Sequence, residues 1–126
     1  MKKILIVDDD VRLMDMLRKM LEVMGPYEVM TEDSGQRALA AAATFKPDLA
    51  VLDIMMPGMD GGEVASELRK HPSTRNIRIL FLTSLVTRKE QSSQGSRESS
   101  SSGTAYLGKP VDPQELCRRI KELLSD

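Results

Sequence analysis

Four apolar runs in this chain lead to polar residues that can do chemistry. Ile4–Val7 runs into Asp8 and Asp9, Leu49–Leu52 into Asp53, and Ile77–Leu82 into Thr83. Thr104–Leu107 reaches Lys109 through Gly108. Taken alone, each residue has a dull explanation. Aspartates cap helices and turns, a threonine can finish a strand, and a lysine is a surface charge. Their joint occurrence is harder to explain that way. In a parallel α/β sheet the carboxyl ends of the strands share one edge, and ligands bind there. Three carboxylates gathered at that edge repel, and one is driven toward its protonated form. A divalent cation relieves the repulsion. All the donors are oxygens and there is no Cys/His set, so the pattern selects a hard ion, Mg²⁺, over zinc. Magnesium keeps several waters and commonly bridges to phosphate. Phosphoryl transfer fits, because its catalysis is mostly positioning and charge neutralisation. An aspartate can act as nucleophile, giving an aspartyl phosphate, while a lysine and a hydroxyl hold the remaining phosphoryl oxygens.

The elements that must position these residues alternate along the chain. Continuous apolar runs such as Ile4–Val7 and Leu49–Leu52 are the pattern of strands buried on both faces. Asp10 can cap a helix from Val11 to about Met24. Its wheel places Leu13, Met14, Met16, Leu17, Met20, Leu21 and Met24 in one arc, a core-facing stripe. Gly25-Pro26 stops it. Tyr27–Thr31 is a weaker, more polar strand, suited to a sheet edge. Asp33 or Ser34 caps an alanine-rich helix to about Thr44. After the turn Pro57-Gly58 a helix runs from Gly61 to about Lys70, with Val64, Ala65 and Leu68 on one side and His71-Pro72 closing it. His71, the one histidine, reads as a solvent-exposed spacer. Asp112-Pro113-Gln114-Glu115 opens a last helix carrying Leu116, Ile120, Leu123 and Leu124. Crossovers of this length make right-handed parallel units, so the expected architecture is a three-layer, doubly wound α/β sheet with helices on both faces.

Composition bounds the rest. The 126 residues fit one domain with a modest core. Net charge is −1, from 18 basic and 19 acidic residues, which argues against a dedicated nucleic-acid surface. A single cysteine, Cys117, allows no internal disulfide and fits a reducing, cytoplasmic location. No apolar run approaches transmembrane length. The start, Met1 to Val7, has an apolar core of only four residues and runs into Asp8-Asp9-Asp10, which excludes a signal peptide reading.

With these residues in view, the chain resembles the receiver domain of two-component response regulators. The resemblance rests on ILIVDDD at 4–10, LAVLDIMMPGMDG at 49–61, LFLTS at 80–84 and YLGKP at 106–110, in the family's order. It covers nearly the whole chain, 1–126, as a single receiver domain. It implies a five-stranded parallel sheet of order 2-1-3-4-5 with flanking helices. Asp53 is then the phosphoacceptor. Asp9 ligates Mg²⁺ directly, Asp8 through water, and the backbone carbonyl of Met55 supplies a further ligand. Thr83 binds a phosphoryl oxygen, Lys109 pairs with the phosphoryl group, and the Lys109–Pro110 bond is cis. Tyr106 is the switch aromatic that turns inward as Thr83 moves. The phosphoryl donor is a phosphohistidine on a histidine kinase or phosphotransfer protein, and a downstream target protein receives the signal. Such a domain catalyses only its own phosphorylation and dephosphorylation. Met55 and Leu85, two residues after Asp53 and Thr83, bring no group able to orient an attacking water, so a long-lived phosphate is expected.

One stretch departs from the family. Arg88–Gly103, RKEQSSQGSRESSSSG, has no large apolar residue where the family places an amphipathic fourth helix. It cannot bury a helical face, so a packed helix there is doubtful and the usual output and dimerisation face is in question. A receiver-like interaction module with an altered output face is therefore a second reading, and homodimerisation stays open. A third is a Mg²⁺-dependent phosphatase with an aspartyl intermediate, using the D-x-D of Asp8 and Asp10. Arg12 stands where that family's motif wants Thr or Val. A stand-alone regulator and a receiver taken from a longer protein both stay open.

Overall fold

The computed structural model describes residues 1–84 and 104–125. Alternation of strand and helix yields β1 (Lys2–Val7), α1 (Val11–Met24), β2 (Tyr27–Glu32), α2 (Gly35–Phe45), β3 (Leu49–Asp53), α3 (Gly61–Lys70), β4 (Arg78–Thr83), β5 (Thr104–Gly108) and α4 (Pro113–Leu124). The five strands form one sheet in the order β2-β1-β3-β4-β5, and every neighbouring pair is parallel. The polar β2 does lie at an edge. Registers such as Val7 opposite Leu52 and Leu52 opposite Phe81 align the strand ends on one rim.

Strand alternation divides the core in two. Ile4, Ile6, Val51, Leu80, Leu82 and Leu107 face α1 and α4, meeting Leu17, Leu21, Leu116 and Ile120. Leu5, Val7, Ala50, Leu52, Ile79 and Phe81 face α2 and α3, meeting Ala38, Ala42, Val64 and Leu68. Both faces are therefore covered, as continuous apolar strands require. The alanines of α2 let its axis lie close to the sheet.

Capping fixes where each helix starts, and so where each rim loop ends. Asp10 accepts from the Leu13 N–H at 3.1 Å, Ser34 from Arg37 at 3.3 Å, and Asp112 from Gln114 at 3.0 Å. Asp60 and Glu63 form a reciprocal capping box at α3. Of the two cap candidates for α2, the structure selects Ser34. The stripe expected on α1 is narrower than the wheel suggests. Met14, Leu17 and Leu21 are buried, while Met16 and Met24 are 49% and 56% exposed. Met16 sits at the flank of the arc, and Met24 lies in the last turn before the Gly25 cap. β4 begins one residue later than the apolar run suggests, and Ile77 is buried ahead of it. The serine-rich segment 88–103 lies outside the described residues, as does Leu85. Among the described residues no helix is long and apolar enough to cross a membrane.

Candidate functional site

The ends of β1, β3, β4 and β5 bring the polar residues together. Asp8 follows β1, Asp53 ends β3, Thr83 ends β4, and Lys109 follows β5. Asp8 is fully buried, Asp53 is 3% exposed and Thr83 is 1% exposed, while Asp9 is exposed. One carboxylate oxygen from each of Asp8, Asp9 and Asp53 lies within 4.8 Å of the others. The Lys109 ammonium stands 3.0 Å from Asp8 Oδ2 and 3.4 Å from Asp53 Oδ2. Lys109 is placed by its own backbone, whose N–H donates to the Thr83 carbonyl at 2.8 Å, and the following peptide to Pro110 is cis.

The two buried carboxylates are held differently. Asp8 Oδ1 accepts the Asp10 N–H at 2.9 Å, which ties it to the start of α1. Its Oδ2 is buried, and the Lys109 ammonium at 3.0 Å is its charge partner. Asp53 Oδ1 accepts the Met55 N–H at 3.2 Å. Burial, then the neighbouring Asp8 charge, push the Asp53 carboxyl up to about 6, against the opposing pull of Lys109 and the Met55 N–H. Lys109 loses solvation by burial, yet the Asp8 and Asp53 carboxylates outweigh this and raise its pKa. Three converging carboxylates, with one ammonium shared between two of them and one carboxyl pKa raised, suit a hard divalent cation. The donor set fits the ion that the sequence suggests.

The rim loops are tightly seated. A Cβ on Gly61 would stand 2.5 Å from the Asp53 carbonyl oxygen, so the chain passes as close to Asp53 as a glycine permits. A Cβ on Gly35 would meet the Met59 carbonyl at 2.5 Å, which wedges the β3–α3 loop against the start of α2. Gly58 turns that loop with φ +75°. The Met55 side chain is 55% exposed at its mouth.

Tyr106 is half-buried and packs against the α2/α3 side of the core. Its ring stacks on Phe81, with centroids 5.2 Å apart and planes at 25°. Sequence reading passed over this contact, because Phe81 looked like one more apolar residue of β4. The contact follows from the parallel pairing, in which Phe81 lies directly opposite Tyr106 and two residues before Thr83.

Comparison with known proteins agrees with this arrangement. Residues 4–121 match the family model described as response regulator receiver domain. The chain is 37% identical over 123 residues to the alkaline phosphatase synthesis transcriptional regulatory protein PhoP of Bacillus subtilis, covering 98% of this chain and 48% of that protein. It is 39% identical over 121 residues to the response regulator PleD of Caulobacter vibrioides, covering 96% of this chain and 26% of that protein. The chain thus spans about half or less of these curated relatives. Among solved structures, the chemotaxis protein CheY4 of Vibrio cholerae superposes with a TM-score of 0.80 at 30% identity, covering 98% of this chain and 99% of that one. The receiver domain of the Francisella response regulator 1452 does so with 0.79 at 28%, covering 98% and 96%. With the sheet order, the acidic rim and these matches in agreement, the chain belongs to the response regulator receiver domain family of two-component signalling.

Proposed function

We propose that the chain is one receiver domain, 1–126, that takes a phosphoryl group from a phosphohistidine onto Asp53 and signals by the change that follows. The donor is a histidine kinase or a phosphotransfer protein, and the recipient of the signal is a downstream target protein. The observation that carries the reading is the pairing of Lys109 with both Asp8 and Asp53 beneath an exposed Asp9. It places a cation beside the candidate nucleophile and leaves a third carboxylate open to solvent. In the transfer, a bond forms between an Asp53 carboxylate oxygen and phosphorus. The bond from phosphorus to the donor's imidazole nitrogen breaks, and the imidazole keeps the electron pair.

Asp8, Asp9, Asp53 and the Met55 carbonyl would hold Mg²⁺. Bound there, the ion neutralises the gathered charge on carboxylates and phosphoryl oxygens. Lys109 moves from carboxylate pairing to a phosphoryl oxygen, and Thr83 closes on another. Tyr106 follows Thr83 as the switch. The domain turns over no external substrate beyond its own phosphorylation and dephosphorylation, and it works in the cytoplasm. The direct test is incubation with Mg²⁺ and a small phosphodonor, followed by intact mass measurement on wild type and Asp53→Ala. One phosphoryl adduct in wild type and none in the variant is expected. An adduct that survives Asp53→Ala overturns the assignment.

A further inference from the structure

We propose that Phe81 is a positioning residue that holds the Tyr106 ring stacked against the α2/α3 side of the core before any phosphate is bound, and so keeps the domain receptive. The inference rests on the roles proposed above for Thr83 and Tyr106. It starts from three facts of placement. Phe81 and Tyr106 are direct partners in the β4–β5 ladder, so their side chains leave the sheet on the same face. Their rings stack at 5.2 Å and 25°, within the range where aromatic pairs attract beyond simple burial. Thr83 lies two residues beyond Phe81 on that same face, and its own ladder partner is Gly108, which brings no side chain. Tyr106 therefore has an aromatic wall at Phe81 and the candidate phosphate-binding hydroxyl as its diagonal neighbour.

The wall itself is fixed. Phe81 is 7% exposed and belongs to the core under α2 and α3, with Ile79 and Leu52. Tyr106 is only half-buried, so of the two rings it is the one with room to move. A fixed ring facing a movable one biases the movable ring toward contact. The stacked ring goes with the phosphate-holding arrangement of Thr83, and whatever favours one favours the other. Phe81 thus sets how much of the unphosphorylated domain already has the receptive arrangement. A stacking contact of ordinary strength changes such a population about two- to tenfold.

The test uses Phe81→Leu, which keeps an apolar core side chain and removes the ring, and Phe81→Tyr, which restores it. Replacing Tyr27 with Phe leaves Tyr106 the only tyrosine in a chain without tryptophan, so intrinsic fluorescence reports that ring alone. In that background, Phe81→Leu is expected to raise acrylamide quenching of unphosphorylated Tyr106 about twofold. In the parent chain the same change is expected to slow phosphorylation by a small phosphodonor about two- to tenfold, and Phe81→Tyr to recover the rate. Ile79→Val, on the same core face but away from the rim, controls for loss of stability and leaves the rate unchanged. Unchanged quenching and rate in Phe81→Leu overturn the proposal, as does equal slowing in Ile79→Val. If wild type takes no phosphoryl group at all, the Asp53 reading fails. Quenching of the unphosphorylated proteins then still decides whether Phe81 holds Tyr106.

Discussion

The Lys109 ammonium lies 3.0 Å from Asp8 Oδ2, a fully buried oxygen. The same ammonium is 3.4 Å from Asp53 Oδ2. One lysine therefore compensates two buried carboxylates. Removing one partner of a buried pair leaves an uncompensated charge, a change that costs about 3–5 kcal/mol when both groups are fully enclosed. Lys109 is 23% exposed, and solvent screening reduces that cost. Lys109→Met is therefore expected to destabilise the metal-free protein by about 1–3 kcal/mol at pH 7.5. Without the cation, Asp53 is protonated more readily still, so the loss is smaller at pH 5. Urea denaturation at both pH values checks this. A loss that is the same at both means that Lys109 acts through packing rather than charge.

Asp53 yields a prediction of opposite sign. Its carboxyl sits at about 6 in the folded protein, raised by burial and by Asp8, against an ordinary 3.8. The folded state thus holds the proton more tightly than the unfolded state. The linked stability is present below the ordinary value and is lost as pH rises through about 6. At pH 7.5 the ionised group is a burden on the metal-free fold. Asp53→Asn removes it, with a gain of about 1–3 kcal/mol after allowance for screening and for the lost Lys109 pairing. The gain shrinks as pH falls through 6 and is gone below about 4, the ordinary carboxylate range. Thermal melts of both proteins in chelator, from pH 4 to pH 7.5, measure it. A variant less stable than wild type at pH 7.5 would show that the buried charge is not the dominant cost.

The sheet and the acidic rim were readable because both depend on short-range patterns. Four largely apolar runs, each leading to a polar residue, carry the strand ends and the rim residues together. The caps at Asp10 and Asp112 mark helix starts from three or four residues of sequence. What could not be read depends on contacts across the fold. The Phe81–Tyr106 stack needs a register between strands that are 25 residues apart, and apolar type alone does not announce it. Arg119 is 5% exposed although it sits among the charged residues of α4; its Nε reaches Glu115 Oε1 at 3.3 Å. Met24 lies near the centre of the α1 arc yet is more than half exposed, because it is the last residue of the helix, and a wheel does not show where a helix ends.

On the proposed metal site, magnesium is expected to stabilise the fold by mass action, because it would bind the gathered carboxylates of the native state. At a hundredfold excess over Kd the gain is about 2.7 kcal/mol. Asp9 is the exposed member of the triad, so Asp9→Asn removes a ligand without disturbing a buried pair. Melting with Mg²⁺ and with chelator should show a shift in wild type that shrinks strongly in Asp9→Asn. An equal shift in both would place the ion elsewhere.

Gly61 is required by contact rather than by backbone conformation. A Cβ there would meet the Asp53 carbonyl oxygen at 2.5 Å, and a backbone oxygen cannot swing aside as a side-chain tip can. Gly61→Ala should cost about 1–3 kcal/mol through the forced shift. The shift falls on Asp53, the proposed phosphoacceptor, so phosphorylation by a small phosphodonor should slow as well. Denaturation and adduct formation measured on the same variant check both effects. An unperturbed rate would mean that the strain relaxes into α3 and leaves β3 in place.

Met55 governs the last prediction, the lifetime of the phosphate. Its N–H is engaged by Asp53 Oδ1 at 3.2 Å, while its side chain is 55% exposed at the mouth of the site. A thioether offers no strong donor or acceptor to an incoming water. An asparagine at that place brings both, within reach of the path to phosphorus, and positioning of an attacking water is a large part of what speeds phosphoryl transfer. Met55→Asn should therefore lose its phosphoryl group about tenfold faster than wild type, with an unchanged Asp53-dependent adduct mass. Because Met55 is exposed, the change should leave stability within about 0.5 kcal/mol. A dephosphorylation time course by intact mass reads the rate, and a melt reads the stability. Equal decay in the two proteins would show that water reaches the phosphate by another route or that its positioning is not limiting.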